Sequence, residues 1–370
     1  MKARIVSIED IPAELSAKWN SWAAPGGRLT SPYLRFEFTQ AIAAARGDVR
    51  IAVIEENGEA IGVFPHHLAR DGVVRPVGAP MSDYQGILTA PGHRICPGTV
   101  LQAGRGSALV FDNWYNPLGS KGHHGREGST VADLSEGAAR YFDTRRSQFP
   151  SHFRKLDRLQ RSAIRQFGPM RVEWTDPSGE AFGQLRRWKQ AQYQQTGKLN
   201  VFGIDWVQMV LNDLRQRDTS EFSGRTVSLW FGDTLAAVEF GLAAGGVYHS
   251  WFPAYDPALA KYSPGLLLLH GIFADADTQG IARVDLGRGG AHYKKYYASY
   301  EVPLDQGRIL TPGLASLGIR SWEMAEAAVQ LMPPQIAGLP GRIRRRWAQA
   351  SAFEPRLAPR LMNLATSISL

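Results

Sequence analysis

Residues 261–297, KYSPGLLLLHGIFADADTQGIARVDLGRGGAHYKKYY, decide how the chain reads. Ser263 is a favoured N-cap, Pro264 suits the first helical position where a missing N–H costs nothing, and Gly265 admits close backbone approach. The apolar run that follows reads as a helix. Free N–H groups at Gly265, Leu266 and Leu267, with the positive end of the helix dipole, suit a pyrophosphate. Lys261 adds positive charge just before the cap. The sequence ARVDL then reads as a strand, and a short helix is expected from about His292. Two readings stand at this point: a capped core helix followed by a turn, or a cradle for a phosphorylated ligand.

Working outward, the second half places helices at 179–196 and 204–217 before a hairpin, TVSLWF and TLAAVEFGLAA around Gly232-Asp233. VYHSWFPAY forms a third antiparallel strand. The first half repeats this order: a helix at 34–46, then VRIAVIEE and EAIGVFPHHLA around Asn57-Gly58, a turn pair that tolerates positive φ. The strand VVRPVGA and a helix near 98–111 follow, and GSKGHHGREGS (119–129) reads as a polar, glycine-rich loop. Residues 151–168 are an amphipathic helix with Ser151 as N-cap and Gly168 as stop. Its apolar face carries Phe153, Leu156, Leu159, Ala163, Ile164 and Phe167, and its other face Arg154, Arg158, Arg161 and Arg165. The repeated order implies two related α+β domains, each a mixed, mostly antiparallel sheet flanked by helices. The first, 1–150, is degenerate and lacks a counterpart to the Ser-Pro-Gly helix start. A basic linker helix (151–168), a second domain (169–320) with the ligand site, and a helical basic tail (321–370) complete the chain.

Composition excludes several classes. An apolar content of 44% and aromatic content of 10% belong to a globular chain. No run approaches the roughly 18 apolar residues of a membrane span. Acids stand in the N-terminal stretch where an export signal carries its apolar core. Cys96 is the single cysteine, so no intramolecular disulfide or cysteine metal cluster forms, and a reducing cytoplasm fits. His66-His67 and His123-His124 lack acid or cysteine partners at ligand spacing, so no metal is expected. The formal charge of +8 is concentrated in two places. Residues 152–165 hold five cations against Asp157, and residues 333–370 hold six arginines against Glu354. A near-neutral body with two basic accessories is not a general nucleic-acid binder. The arginine face of 151–168 reads as a solvated surface or as a rail for an anionic substrate or membrane. GRIRRRW (341–347) reads as a solvated end or a dock for anionic lipid.

The succession WFPAYDP, YSPG, DLGRG and YKKYY resembles the GNAT (Gcn5-related N-acetyltransferase) superfamily, in its double-domain branch of CelD/BioF2-like acetyltransferases, itself similar to FemAB-type aminoacyl transferases. The resemblance covers about 160–310 well and 30–150 more loosely. It departs from the superfamily at the pyrophosphate loop, ordinarily Gln/Arg-x-x-Gly-x-Gly/Ala, where this chain has Ser263, Pro264 and one glycine, Gly265. The resemblance implies direct transfer from acetyl-CoA or another acyl-CoA, the donor being held by Lys261, Ser263, Pro264, Gly265, Leu266 and Leu267. It implies an amine acceptor, here an amino sugar of a bacterial exopolysaccharide or its lipid-linked precursor. The alternatives are charged tRNA with a peptidoglycan precursor, or a non-catalytic subunit of a polysaccharide synthesis complex. A cytoplasmic protein, in peripheral contact with the inner membrane through its basic segments, is expected.

Direct transfer needs a base, a polarised carbonyl and a proton for the leaving thiolate. Glu239, an acid inside an apolar strand, and His249, which titrates near working pH, are candidates for the base. Each is also a candidate structural group, an ion pair or a satisfied core histidine. The resemblance places Tyr255 and Asp256 at the cofactor mouth, with Tyr255 as the thiolate's acid. It places Asp285 at the lip of the same cleft, as a base or as a brace for Arg288 or Lys294. Lys294 is similar to the Phe-Lys-x-x-Phe lysine of FemAB enzymes, which implies a role at the reacting carbonyl or at substrate phosphate; an exposed helix lysine is the other reading. SDYQG (82–86) and LRRWKQAQYQQTG (185–197) also resemble the family, so that Asp83, Tyr84, Trp188, Tyr193, Trp251 and Arg288 are expected to meet the acceptor.

Overall fold

A computed structural model describes residues 1–23, 30–69, 72–104, 106–115, 123–329 and 352–353. Two compact units emerge. Met1–Trp22, Ile42–Arg126 and Leu304–Leu370 form the first; Ala23–Ala41 and Glu127–Pro303 form the second. In chain order the first unit begins with β1 (Lys2–Val6) and α1 (Ala13–Trp22). Helix α2 (Phe36–Ala45) starts in the second unit and finishes in the first. Next come β2 (Val49–Glu56), β3 (Glu59–Leu68), β4 (Val73–Pro76), β5 (Leu88–Thr89), α3 (Pro97–Ala103) and β6 (Ala108–Trp114). The hairpin expected around Asn57-Gly58 is present, with φ of 53° and 86° at the two turn residues. The helix expected near 98–111 ends early. Residues 108–114 alternate as a strand, and their buried members, among them Leu109, Phe111 and Trp114, enter the first unit's core with Ala52, Ile54, Phe64 and Val74.

The second unit contains β7 (His123–Asp133), α4 (Ala138–Gln148), α5 (Pro150–Phe167), β8 (Met170–Glu173), α6 (Glu180–Thr196) and α7 (Asp205–Gln216). It continues with β9 (Ser223–Phe231), β10 (Thr234–Ala244), β11 (Val247–Tyr255), α8 (Pro264–Ala274) and β12 (Arg283–Arg288). Strand β13 (Tyr300–Leu310) starts in the second unit and finishes in the first, to which α9 (Leu314–Val329) also belongs. The stretch expected as a glycine-rich loop is, from residue 123, strand β7. Its glycines serve close packing: a Cβ on Gly128 would collide with the side chain of Glu301. Helix α5 is capped by Phe149 with Pro150 at its first position, so Ser151 is not the cap, and Gly168 ends it at φ 107°. Phe153, Leu156 and Ala163 are buried in the unit's core beside Leu267, Ile272 and Phe273 of α8, while Arg154, Arg158, Arg161 and Arg165 are exposed. Residues 341–347 lie outside the described residues.

Both units share one plan, an α+β architecture in which a mixed sheet is flanked by helices. In the first, the strand order is β1-β2-β3-β4-β6, with the C-terminal part of β13 antiparallel to β6. In the second it is β8-β9-β10-β11-β12-β7. Each has one parallel pair, β4 with β6 and β11 with β12, and in each a helix that opens with proline precedes the second member. In the first unit that helix is α3, which opens on Cys96-Pro97-Gly98, so the Ser-Pro-Gly start does have a counterpart. The last strands are exchanged. Strand β7 follows β6 in sequence yet pairs with β12, and β13 follows β12 yet pairs with β6.

Candidate active site

The second unit holds a fork. β11 and β12 pair in parallel at three positions, Val247–Arg283, Tyr248–Val284 and His249–Asp285, and the ladder ends there. From Ser250 onward β11 keeps its ladder with β10, with a register shift that leaves Trp251 as the extra residue. The bulge re-aims the strand where the fork opens, a common arrangement beside functional sites. The chain leaves β11, makes a 3-10 turn over Pro257–Tyr262 and enters α8.

Glu239 of β10 is 3% exposed, and its Oε1 has no hydrogen-bond partner. Burial drives its pKa up to about 7; Ser250, Tyr248, His249 and Lys189 favour the ionised form but do not restore the ordinary value. The phenol of Tyr248 reaches this region because residue 241 is glycine: a Cβ there would overlap the Tyr248 ring. Burial, followed by the neighbouring Glu239, pushes the Tyr248 hydroxyl well above 10. The same causes raise Tyr293 to about 12. Lys189, one face of α6, is lowered to about 8 by burial, with Glu239 opposing the shift. Tyr248, Tyr293 and Lys189 were not singled out from sequence, where nothing marks a tyrosine or lysine as a neighbour of Glu239.

His249 is fully buried and Asp285 nearly so; His249 Nδ1 lies 3.6 Å from Asp285 Oδ1. The same oxygen accepts from Ser129 Oγ at 2.6 Å and from the Gly287 amide at 2.8 Å. Ser129 is not legible as a site residue in the sequence, where the glycines of β7 read as a loop. Lys294 is buried, and its Nζ donates to the carbonyls of Gly287 and Arg288, both at 2.8 Å. Arg288 pairs with Glu127 at 3.3 Å. Asp285 thus fastens Ser129 and Gly287, while the expected partners Arg288 and Lys294 are engaged with Glu127 and with the Gly287–Arg288 carbonyls.

At the start of α8, Ser263 caps in the left-handed region (φ 55°, ψ 52°) and its side chain makes no capping bond. A non-glycine residue held there carries strain of roughly 1–3 kcal/mol, a feature common at ligand sites. The amides of Leu266 and Leu267 both donate to Ser263 O, at 3.0 and 3.1 Å, so these two are not free. Leu267 is also a fully buried core side chain. Gly265 faces Tyr255, whose Cδ1 would lie 3.6 Å from an added Cβ, an ordinary contact. Tyr255 is exposed, and Asp256 caps the 3-10 turn by accepting from the Ala258 amide. Pro264 is buried; Lys261 is exposed, with Nζ 5.0 Å from the Tyr262 ring centre.

Residues 30–41 complete one side of this unit. The Tyr33 ring stands edge-on to His249 at 4.9 Å and to Trp251 at 5.3 Å, and Phe38 meets Trp251 at 6.3 Å. Trp188 and Tyr193 are half-buried on α6, and Lys189 Nζ lies 5.9 Å from the Tyr193 ring centre. Asp83 and Tyr84 belong to the first unit, where Tyr84 is buried. The buried His67 bonds Asp48 and the Gly78 amide, a structural role. Among the described residues no group of three His, Cys, Asp or Glu side chains could hold a metal, and no helix is long and apolar enough to cross a membrane.

Residues 150–295 match the family model of the acetyltransferase (GNAT) domain, Acetyltransf_6. This segment of the chain is thus similar to GNAT acetyltransferase domains, and the fold is shared with FemX. The crystal structure of FemX is 8% identical and superposes with a TM-score of 0.55, covering 87% of this chain and 99% of FemX. A conserved protein of unknown function from Bacteroides thetaiotaomicron VPI-5482 is 10% identical with a TM-score of 0.50, covering 83% and 98%. No curated protein matches the chain by sequence.

Proposed function

We propose that this protein transfers an acyl group, acetyl in the first instance, from acyl-CoA to the amine of an amino sugar in a bacterial exopolysaccharide or its lipid-linked precursor. The buried Glu239 carboxyl beside the fork carries this reading. One of its oxygens is unpartnered and its pKa is about 7, so it is half ionised at neutral pH and suited to general-base work. The donor's diphosphate takes the opening turn of α8, where the Gly265 amide and the Ser263 hydroxyl stand beside Lys261. The edge of β11 beyond His249 offers backbone amides to the thioester carbonyl.

Glu239 takes a proton from the acceptor ammonium, and the freed nitrogen lone pair forms the C–N bond at the thioester carbon. The C–S bond breaks, and the CoA thiolate leaves with a proton. Tyr255, exposed beside Gly265, is the acid that supplies it. Trp251, Trp188 and Tyr193 offer faces for a sugar ring. The exposed arginine face of α5 suits a pyrophosphate-bearing acceptor at an anionic membrane surface.

Calorimetry of the full chain with acetyl-CoA, longer acyl-CoAs and charged tRNA tests the donor, and an N-acetylation assay on amino sugars tests the acceptor. Acetyl-CoA binding, with acyl transfer abolished in Glu239→Ala, is expected. Binding of charged tRNA without CoA would replace this reading with aminoacyl transfer, and binding of neither would favour a non-catalytic subunit.

A further inference from the structure

Three strands of the second unit bring buried polar side chains around one carboxylate at the level where the fork opens. Ser129 on β7, Asp285 on β12 and His249 on β11 lie in successive strands, and all three side chains are at least 95% buried. Their polar atoms converge on one oxygen, Asp285 Oδ1: Ser129 Oγ at 2.6 Å, His249 Nδ1 at 3.6 Å and the Gly287 amide at 2.8 Å. His249–Asp285 is also the last pair of the β11–β12 ladder. Beyond it, the buried Lys294 Nζ donates to the Gly287 carbonyl in the β12 bulge.

The first unit supplies the control. Its parallel pair runs Val73–Ala108 and Val74–Leu109, so Arg75 and Val110 stand where His249 and Asp285 stand in the second. An apolar Val110 allows no such convergence. The space that follows is instead taken by the unit's own chain, Gln85, which forms a parallel bridge with Trp114. A polar cross-tie is therefore present where the fork is left for a ligand, and is missing where the fork is closed by the protein.

We propose that Ser129, Asp285 and His249 form a cross-strand brace that sets the opening between β11 and β12 for the acyl donor, with Ser129 as a positioning residue contributed by the exchanged strand. The brace rests on the reading of the fork as the donor site, and it extends the site to a residue outside the 150–295 segment.

Ser129→Ala and Ser129→Thr in the full chain test it by two readouts. The first is amide hydrogen exchange of residues 250–255 and 286–288 without ligand. The second is the acetyl-CoA dissociation constant by calorimetry. The alanine variant is expected to raise exchange in those two segments alone. It should also weaken acetyl-CoA about tenfold, the scale of one buried hydrogen bond to a charged group. Threonine, which keeps the hydroxyl, is expected to restore both. Unchanged exchange in Ser129→Ala overturns the brace, as does loss of protection throughout the unit. So does donor affinity equal to that of the unaltered protein. If the unaltered protein binds no acyl-CoA while the local exchange change and its rescue still appear, the brace stands and the donor assignment falls.

Discussion

The two forks of this molecule are built alike and filled differently. In the first unit, β6 beyond its ladder with β4 is met by residues 82–86. Gln85 N–H donates to Asn113 O at 2.9 Å, and Tyr115 N–H donates to Gln85 O at 2.7 Å. The Gln85 amide side chain bonds the backbone of Asp112 and Asn113 and the carboxylate of Asp112. A substrate arm that paired with this strand edge would have to displace a segment already hydrogen-bonded to it. In the second unit no such segment lies between β11 and β12 among the described residues, and the adjoining hairpin strand β10 carries Glu239. Counting from the hairpin turns, its counterpart in β3 is Phe64, a core side chain stacked on His66 at 5.3 Å. A duplicated scaffold thus separates into a copy that closes its fork with its own backbone and a copy that keeps an ionisable group beside an open one.

Removing the acid should have the largest effect. Glu239→Gln is expected to lower kcat about 10³-fold, in the range for loss of a general base, and to abolish a rise in rate through about pH 7. An unchanged pH–rate profile in steady-state kinetics would remove Glu239 from the chemistry and dissolve the contrast with Phe64.

The same substitution should stabilise the fold at high pH. Between the ordinary carboxyl value of 4.5 and about 7, the native state keeps a proton that the unfolded chain has released. Stability from this group is therefore greatest at low pH and falls as pH rises through 7. Glu239→Gln should match the parent near pH 4 and exceed it by roughly 3 kcal/mol at pH 8, as read by denaturant titration at the two pH values.

The helix starts can be set against each other next. Gly265→Asp places a negative charge at the opening of α8 and should weaken CoA about 30-fold, near 2 kcal/mol. Gly98→Asp at the start of α3 should leave CoA affinity unchanged, and equal losses by calorimetry would erase the distinction. The smallest effect is expected at the plug. Gln85→Ala should cost the fold about 1–3 kcal/mol through unsatisfied partners, visible as a lower unfolding midpoint, with no change in KM for the donor.

Much of this was legible in the chain. Alternating apolar residues around Asn57-Gly58 and Gly232-Asp233 announce both hairpins, and the proline that opens α8 marks its first turn. Glu239 stands out because an acid in LAAVEFGLAA needs a reason to be there. What stayed hidden was non-local. Glycine is a turn signal in sequence, so β7, where Gly128 makes room for Glu301, reads as a loop; Ser129 and its 156-residue separation from Asp285 disappear with it. Taking 98–111 for one helix concealed the Cys96-Pro97-Gly98 start and strand β6. SDYQG carries the polar residues of a ligand site, yet Gln85 spends them on its own neighbours. The general rule for helix ends offers the amides of Leu266 and Leu267 to a phosphate, and the left-handed Ser263 carbonyl takes both instead.

The exchange of β7 and β13 also bears on synthesis. During translation the first half emerges without its edge strand, since β13 begins at Tyr300, and must keep the open side of β6 from other partners until then. A fragment cut near residue 150 would separate β7 from β12 and β13 from β6, so neither piece would retain a full sheet. Each unit thus waits for a strand from the other half of the sequence, and limited proteolysis of nascent chains should show protection arriving in both only late.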